Sequence, residues 1–105
     1  MLHYEGYWAS VFYSHLASLG LELIPEDVTN QGRIDLTLKL PQAIVVIEFK
    51  RIDGDAPTGE ALAQLRARRY AEKYRADGRP VWLLGVELSS ATRNIVGWEV
   101  AVGVA

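Results

Sequence analysis

The sequence contains no cysteine. That excludes disulfides, thiol nucleophiles and every zinc site built on thiolates. Histidine is almost absent as well. His3 and His15 stand twelve residues apart and belong to no HExxH motif, which argues against zinc altogether. Long apolar runs are missing too: residues 43–47 and the glycine-interrupted 100–105 are the longest aliphatic stretches, far too short to cross a bilayer. The first five residues lack the basic start of a signal peptide. No internal repeat, low-complexity segment or long linker interrupts the chain. What remains is core-forming material, 105 residues of which 50% are hydrophobic and 23% charged. That is enough for one domain over 1–105 and not for two. These features predict a soluble protein of a reducing compartment, the cytoplasm, with no membrane partner.

Net charge is −2, but its distribution is uneven. Residues 1–35 carry five acids against the single base Arg33, whereas residues 64–80 carry six bases against Glu72 and Asp77. Acidic and basic parts in one small domain can set a metal site beside a phosphate-binding surface; they can equally be solvated faces.

Tyr7, Trp8, Val11, Phe12, His15, Leu16 and Leu19 recur at helical spacing and predict a helix with one apolar face, stopped by Gly20. His15 on that stripe reads as a core histidine. A short strand over 21–24 follows, closed by Pro25, and then a turn over 28–32. From 33 to 40 the alternation is strict, with Ile34, Leu36, Leu38 and Leu40 on one face. Pro41-Gln42 makes a turn into a strand over 43–50 whose two faces are both largely apolar, as in a covered central strand. Thr58 is the expected cap of a second helix running to about Asp77, where Gly78 and Pro80 end it. Strands over 81–86 and 94–100 close the chain, and residues 100–105 read either as a sticky tail or as the rest of the last strand. Tyr70, Tyr74, Trp82 and Trp98 are assigned to the core. The element order α-β-β-β-α-β-β predicts an α/β domain with a central mixed sheet flanked by helices.

Two carboxylates need a physical reason. If Leu40 and Ala43 face each other across the Pro41-Gln42 turn, Asp35 stands opposite Glu48 and Arg33 opposite Lys50. Like charges with Cβ atoms about 5 Å apart repel by about 3 kcal/mol at an effective dielectric near 20. Burial adds a desolvation cost. The pair is tolerable if one carboxyl is protonated, if Arg33 and Lys50 surround it, or if a divalent cation lies between. A frayed strand end with a surface ion-pair cluster is the bland alternative. Glu48 and Lys50 continue a face begun by Ile44 and Val46, so the polar pair sits where a pocket opens beside a sheet. Oxygen ligands without cysteine or paired histidine suit Mg²⁺ or Mn²⁺.

At these residues the chain resembles the PD-(D/E)xK nuclease superfamily. Gly32-Arg33-Ile34-Asp35, thirteen residues before Glu48-Phe49-Lys50, resembles its metal-binding core. His3-Tyr4-Glu5-Gly6-Tyr7, the segment from Pro25 to Asn30, Gln64 with Tyr70 and Tyr74, and Asn94-Ile95-Val96-Gly97-Trp98 resemble the nuclease-like domain often fused behind an AAA-ATPase-like module. Ile34 stands where the superfamily name implies proline, and these 105 residues hold no ATPase-like module.

The resemblance implies a restriction-endonuclease-like core and metal-dependent hydrolysis of DNA phosphodiesters, as a Mg²⁺-dependent deoxyribonuclease in which Mn²⁺ substitutes. It implies Asp35, Glu48 and the Phe49 carbonyl as metal ligands and Lys50 as the residue that orients water and stabilises the transition state. Glu5 matches a further acidic position on the first helix, where it can equally complement the helix dipole. Gln64 matches the helical glutamine near the metal. At about 100° per residue, Gln64, Arg68 and Arg75 share one helical stripe, so Arg68 and Arg75, with Arg33, are candidate phosphate contacts. Lys73, Arg66 and Arg69 read as solubility residues. The alternative is a catalytically silent module that binds nucleic acid or a partner such as an ATPase; a homodimer is one way to cut both strands.

Overall fold

A computed structural model describes residues 4–105; residues 1–3, among them His3, lie outside the described residues. Helix α1 (Tyr4–Ser18) leads into strands β1 (Glu22–Thr29), β2 (Gly32–Leu40) and β3 (Ala43–Ile52). Helix α2 (Glu60–Ala67) and a 3₁₀ segment (Tyr70–Asp77) then precede β4 (Val81–Ser89) and β5 (Ile95–Val104). The five strands form one sheet in the order β1-β2-β3-β4-β5. Only the β3–β4 pair is parallel, because α2 carries the chain back across the sheet between them. The expected α/β mixed sheet flanked by helices is therefore present.

The sheet has a core on each face. Ile34, Ile44, Val46, Val81 and Leu83 pack with Leu62, Leu65, Tyr70 and Tyr74 on the α2 side. Leu36, Ile47, Phe49, Val86 and Leu88 meet Tyr4, Trp8, Phe12 and Leu16 on the α1 side. The inward residues of α1 step by four, and Phe12 meets Phe49 edge-on at 4.9 Å between ring centres. Tyr4 fixes this rotation by donating its hydroxyl to the Ser89 carbonyl at 2.8 Å. His15, expected in the core, is consequently exposed, together with Tyr7, Val11 and Leu19.

Other local expectations change for identifiable reasons. Strand β1 does not stop at Pro25: as an edge strand it tolerates a residue with no N–H, and Val28 and Thr29 belong to it rather than to a turn. The second helix is not continuous. Arg69 takes a left-handed conformation (φ 54°), and the chain resumes as 3₁₀ rather than α. Its start is capped across the sheet as well as locally. Buried Glu87 of β4 accepts the Thr58 N–H at 2.6 Å and the Thr58 hydroxyl at 2.8 Å, while Thr58 Oγ1 accepts the Glu60 N–H at 3.2 Å. Residues 100–104 are the second half of β5 rather than a tail. Trp82 and Trp98, assigned to the core, are exposed, because among the described residues no helix covers the part of the sheet they occupy on the α1 side.

Candidate metal and nuclease site

The β2–β3 register runs from Leu40↔Ala43 to Leu36↔Ile47 and stops there, one pair short of Asp35 and Glu48. On the other side of β2, pairing with β1 skips Asp35 as well, and its opposite number Glu26 has a positive φ of 49°. The alternation of β2 breaks at the same residue. Leu36 packs on the α1 side and Ile34 on the α2 side, two residues apart yet on opposite faces. Strict alternation through Ile34 therefore does not hold. The strand turns over at Asp35, whose carboxylate Oδ2 accepts the Phe49 main-chain N–H at 2.8 Å. A side chain takes the place of a ladder hydrogen bond, and the sheet opens between β2 and β3.

Glu48 stands beside that opening on β3, close enough to feel the charge of Asp35, and is only 5% exposed. Gln64 Nε2 donates to its Oε1 at 3.1 Å, whereas Oε2 is buried with no hydrogen-bond partner among the described residues. Burial first, and then repulsion from Asp35, push the Glu48 carboxyl up to about 8; a main-chain hydrogen bond from Asp35 and the charge of Arg68 pull the other way. Gly85 lets Gln64 come this close. It pairs with Glu48 across β3–β4, and a Cβ there would lie 2.5 Å from the Leu62 nitrogen at the start of α2. Gly32 does the same for the other wall, since its missing Cβ leaves room for the Tyr70 hydroxyl and the Arg68 guanidinium. Arg68 Nη1 lies 3.5 Å from that hydroxyl.

Lys50 follows Glu48 on the same face of β3, half-buried, and among the described residues its side chain makes no hydrogen bond or ion pair. Glu5 stands slightly apart. Its Oε2 accepts the Arg51 N–H at 2.8 Å, and its charge still adds to the upward push on Glu48. Among the described residues no three acidic or histidine side chains converge closely enough to hold an ion by themselves. The donor set at the opening is thus two carboxylates, with main-chain oxygen and solvent to complete it. That suits a hard cation such as Mg²⁺, which keeps several waters and takes one or two carboxylates. The buried, partnerless Oε2 of Glu48 is the atom such an ion would satisfy.

The three arginines separate. Arg68 belongs to the site, whereas the break at Arg69 takes Arg75 out of the Gln64–Arg68 stripe. Arg75 instead forms two hydrogen bonds of 2.8 Å to Glu72 on the exposed 3₁₀ segment. Arg33 is exposed, 4.0 Å from Glu26. Both line a cleft of about 530 Å³ between α1 and the β1–β2 hairpin, with Gly6, Ser10, Tyr13, Ser14 and Asp35. The sequence signal for this cleft was there to be found: positions 6, 10, 13 and 14 are small or hydroxylated at helical spacing. Lys73, read as a solubility residue, instead donates to buried Asp27 of β1 and to the Val28 carbonyl at 2.7 Å.

A strand pair that parts to expose Asp35 opposite a Glu-x-Lys strand, with a helical glutamine closing over it, defines the nuclease class that the fold already suggests. Comparison with known sequences agrees. The family model of the PD-(D/E)XK nuclease superfamily matches residues 3–98, so this chain belongs to that superfamily. It is also 52% identical over 97 residues to an uncharacterized protein encoded in the vnfD 5′ region of Azotobacter chroococcum mcd 1. That match takes in 92% of this chain but 19% of the relative, so the chain spans about one fifth of the relative's length. Among the described residues no helix is long and apolar enough to cross a membrane.

Proposed function

We propose that this domain hydrolyses phosphodiester bonds in DNA at a divalent-metal site formed by Asp35, Glu48 and the Phe49 carbonyl, with Mg²⁺ as the ion and Mn²⁺ able to replace it. The observation that carries the reading is the buried Glu48 Oε2 with no partner beside a second carboxylate. A native fold leaves such an atom unsatisfied at a cost of a few kcal/mol unless it serves a ligand. When bound, the ion supplies charge neutralisation at the phosphate and lowers the pKa of a water.

The protein's own residues do the rest. Gln64 fixes the Glu48 rotamer through Oε1 and leaves Oε2 without a hydrogen-bond partner among the described residues. Asp35 is held by the Phe49 N–H, so both carboxylates are oriented before any ligand arrives. The Lys50 side chain has no competing partner among the described residues and is suited to orient the attacking water and to stabilise negative charge on the transferring phosphoryl oxygens. Arg68 and Arg33 flank the opening as phosphate contacts, and Glu5 holds the rim of β3 in place through Arg51.

The relative's far greater length supports a second reading, in which the domain is one module of a larger assembly and binds nucleic acid alongside a partner such as an ATPase. Cleavage of labelled single-stranded, duplex and branched DNA in Mg²⁺ and Mn²⁺, beside Glu48→Gln, separates the two. Metal-dependent cleavage lost in the variant establishes the nuclease. DNA binding without turnover moves the argument to the module reading.

A further inference from the structure

The two faces of the sheet are not equally covered. On the α2 side, helix and 3₁₀ segment bury a continuous core. On the other side α1 is the only cover among the described residues, and although 15 residues long it contains no fully buried residue. A helix seated on a sheet normally buries one stripe. Here even the inward Trp8, Phe12 and Leu16 remain partly exposed.

Beyond α1 none of the described residues covers this face of the sheet. Trp82 of β4 and Trp98, Val100 and Val102 of β5 share the uncovered part of one face, beside the partly buried Leu84 and the buried Val86 that pair with Val100 and Trp98. Trp98 is 69%, Val100 57% and Val102 53% exposed. The helix flank beside this surface is apolar as well. Tyr7 is 53% exposed and Val11 also stands clear, and Val11 borders an apolar cleft of about 530 Å³ that runs down to Leu84. One molecule therefore presents an apolar ridge and an apolar trough side by side.

We infer that this face is an interface between two copies of the chain, related by a two-fold axis, with α1 of each copy seated on the bare β4–β5 half of the other. A two-fold interface uses the same patch on both partners and so requires a surface that is complementary to itself. A ridge and trough of the same chemistry meet that requirement. The area also fits. The exposed parts of Tyr7, Val11, Trp82, Trp98, Val100 and Val102 amount to roughly 600 Å² of apolar side chain. A standard interface buries about 800 Å² per partner, somewhat more than half of it apolar. The composition, aromatic and free of charge among the contacting side chains, is that of an interface centre. This inference is independent of the nuclease reading.

The test is molar mass by light scattering and sedimentation over about 1 to 200 µM, a span that brackets a micromolar Kd. A dimer is expected that reverts to monomer with Val11→Lys on the helix and separately with Trp98→Ser, each with native circular dichroism. Val28→Ser removes an exposed apolar side chain on the far edge of the sheet and leaves the dimer intact. A dimer broken by Trp98→Ser but indifferent to Val11→Lys would mean edge-to-edge pairing of β5 and overturn the seating of α1. A monomer throughout would overturn the second copy as occupant and assign the face to a different polypeptide.

Discussion

Asp27 and Glu48 are both buried carboxylates on strands of the same sheet, and they are treated in opposite ways. Around Asp27 every donor needed is supplied. Thr37 gives a hydroxyl hydrogen bond of 2.8 Å, and Lys73 and Tyr74 reach in from the 3₁₀ segment to the same carboxylate. Burial raises its pKa, but these three donors overcome that and hold it below the ordinary aspartate value. Around Glu48 the donors run out: Gln64 serves one oxygen and the Asp35 main chain gives some relief, but Oε2 has no hydrogen-bond partner among the described residues and the nearest acid pushes the pKa further up. Burial alone therefore does not mark a functional acid; it is the unanswered burial of Glu48 that supports the ligand role proposed for it, against the fold-holding role of Asp27.

The contrast breaks most visibly in catalysis. Glu48→Gln keeps the shape and the Gln64 neighbourhood but removes the charge, and it should lower metal-dependent cleavage by a thousandfold or more, on the order expected for losing a catalytic metal. Asp35→Asn should match it. Both should melt no lower than the parent, because each removes repulsion between the half-buried Asp35 and the buried Glu48. A variant that retains cleavage would show that the orphaned oxygen is not the metal ligand.

Asp27→Ala should do the reverse, leaving cleavage per folded molecule unchanged while costing about 3 kcal/mol of stability, since Lys73 and Tyr74 lose their buried partner. For a domain of this size that is a fall of roughly 10–20 °C in melting temperature. Thermal melts beside the cleavage assay read both quantities. A mild loss would mean that Lys73 reaches solvent and that the cluster is peripheral.

The two acids should also give stability opposite pH slopes. Glu48 has its pKa raised from 4.5 to about 8, so between those values the folded state holds a proton that the unfolded state has released. Its contribution therefore weakens as pH rises through that window and levels off above it. Asp27 is lowered from 3.8, so its contribution is full above that value and is lost as pH falls below it. In metal-free urea titrations, Glu48→Gln should remove the slope between pH 5 and about 8, and Asp27→Asn should remove part of the acid limb. An unchanged slope in Glu48→Gln would place the proton elsewhere.

Much of this was legible in sequence because it rests on local rules. The Pro41-Gln42 turn fixed the β2–β3 register, and the register brought Asp35 toward Glu48. What alternation cannot show is that β2 turns over at Asp35, because Ile34 is apolar and suits either face. Asp27 looked like any acid near a turn, since its partners Lys73 and Tyr74 lie 46 and 47 residues away. The break at Arg69 was equally hidden: arginine is a good helix former, and nothing in its neighbours along the chain marks it for a left-handed conformation. Trp82 and Trp98 misled for a different reason. Hydrophobicity says that a residue seeks cover but not whether the cover is in the same chain.

The smallest effect sharpens the comparison from a third carboxylate. Glu87 is as buried as Asp27, and although burial again pushes its pKa up, hydrogen bonds from Thr58 and from the Ala61 and Glu60 main chain bring it below the usual glutamate value. It belongs with Asp27, but it serves a helix start rather than a tertiary ion pair. Glu87→Gln keeps one acceptor for the Thr58 N–H and loses the charge facing the first turn of α2, so about 1–2 kcal/mol should be lost, the usual scale of a helix cap. Because α2 carries Gln64, the same substitution should loosen the hold on Glu48 and raise the metal concentration needed for half-maximal cleavage a few-fold. If stability falls and the metal dependence does not move, then Gln64 is positioned by its packing over Gly85 and not by the cap.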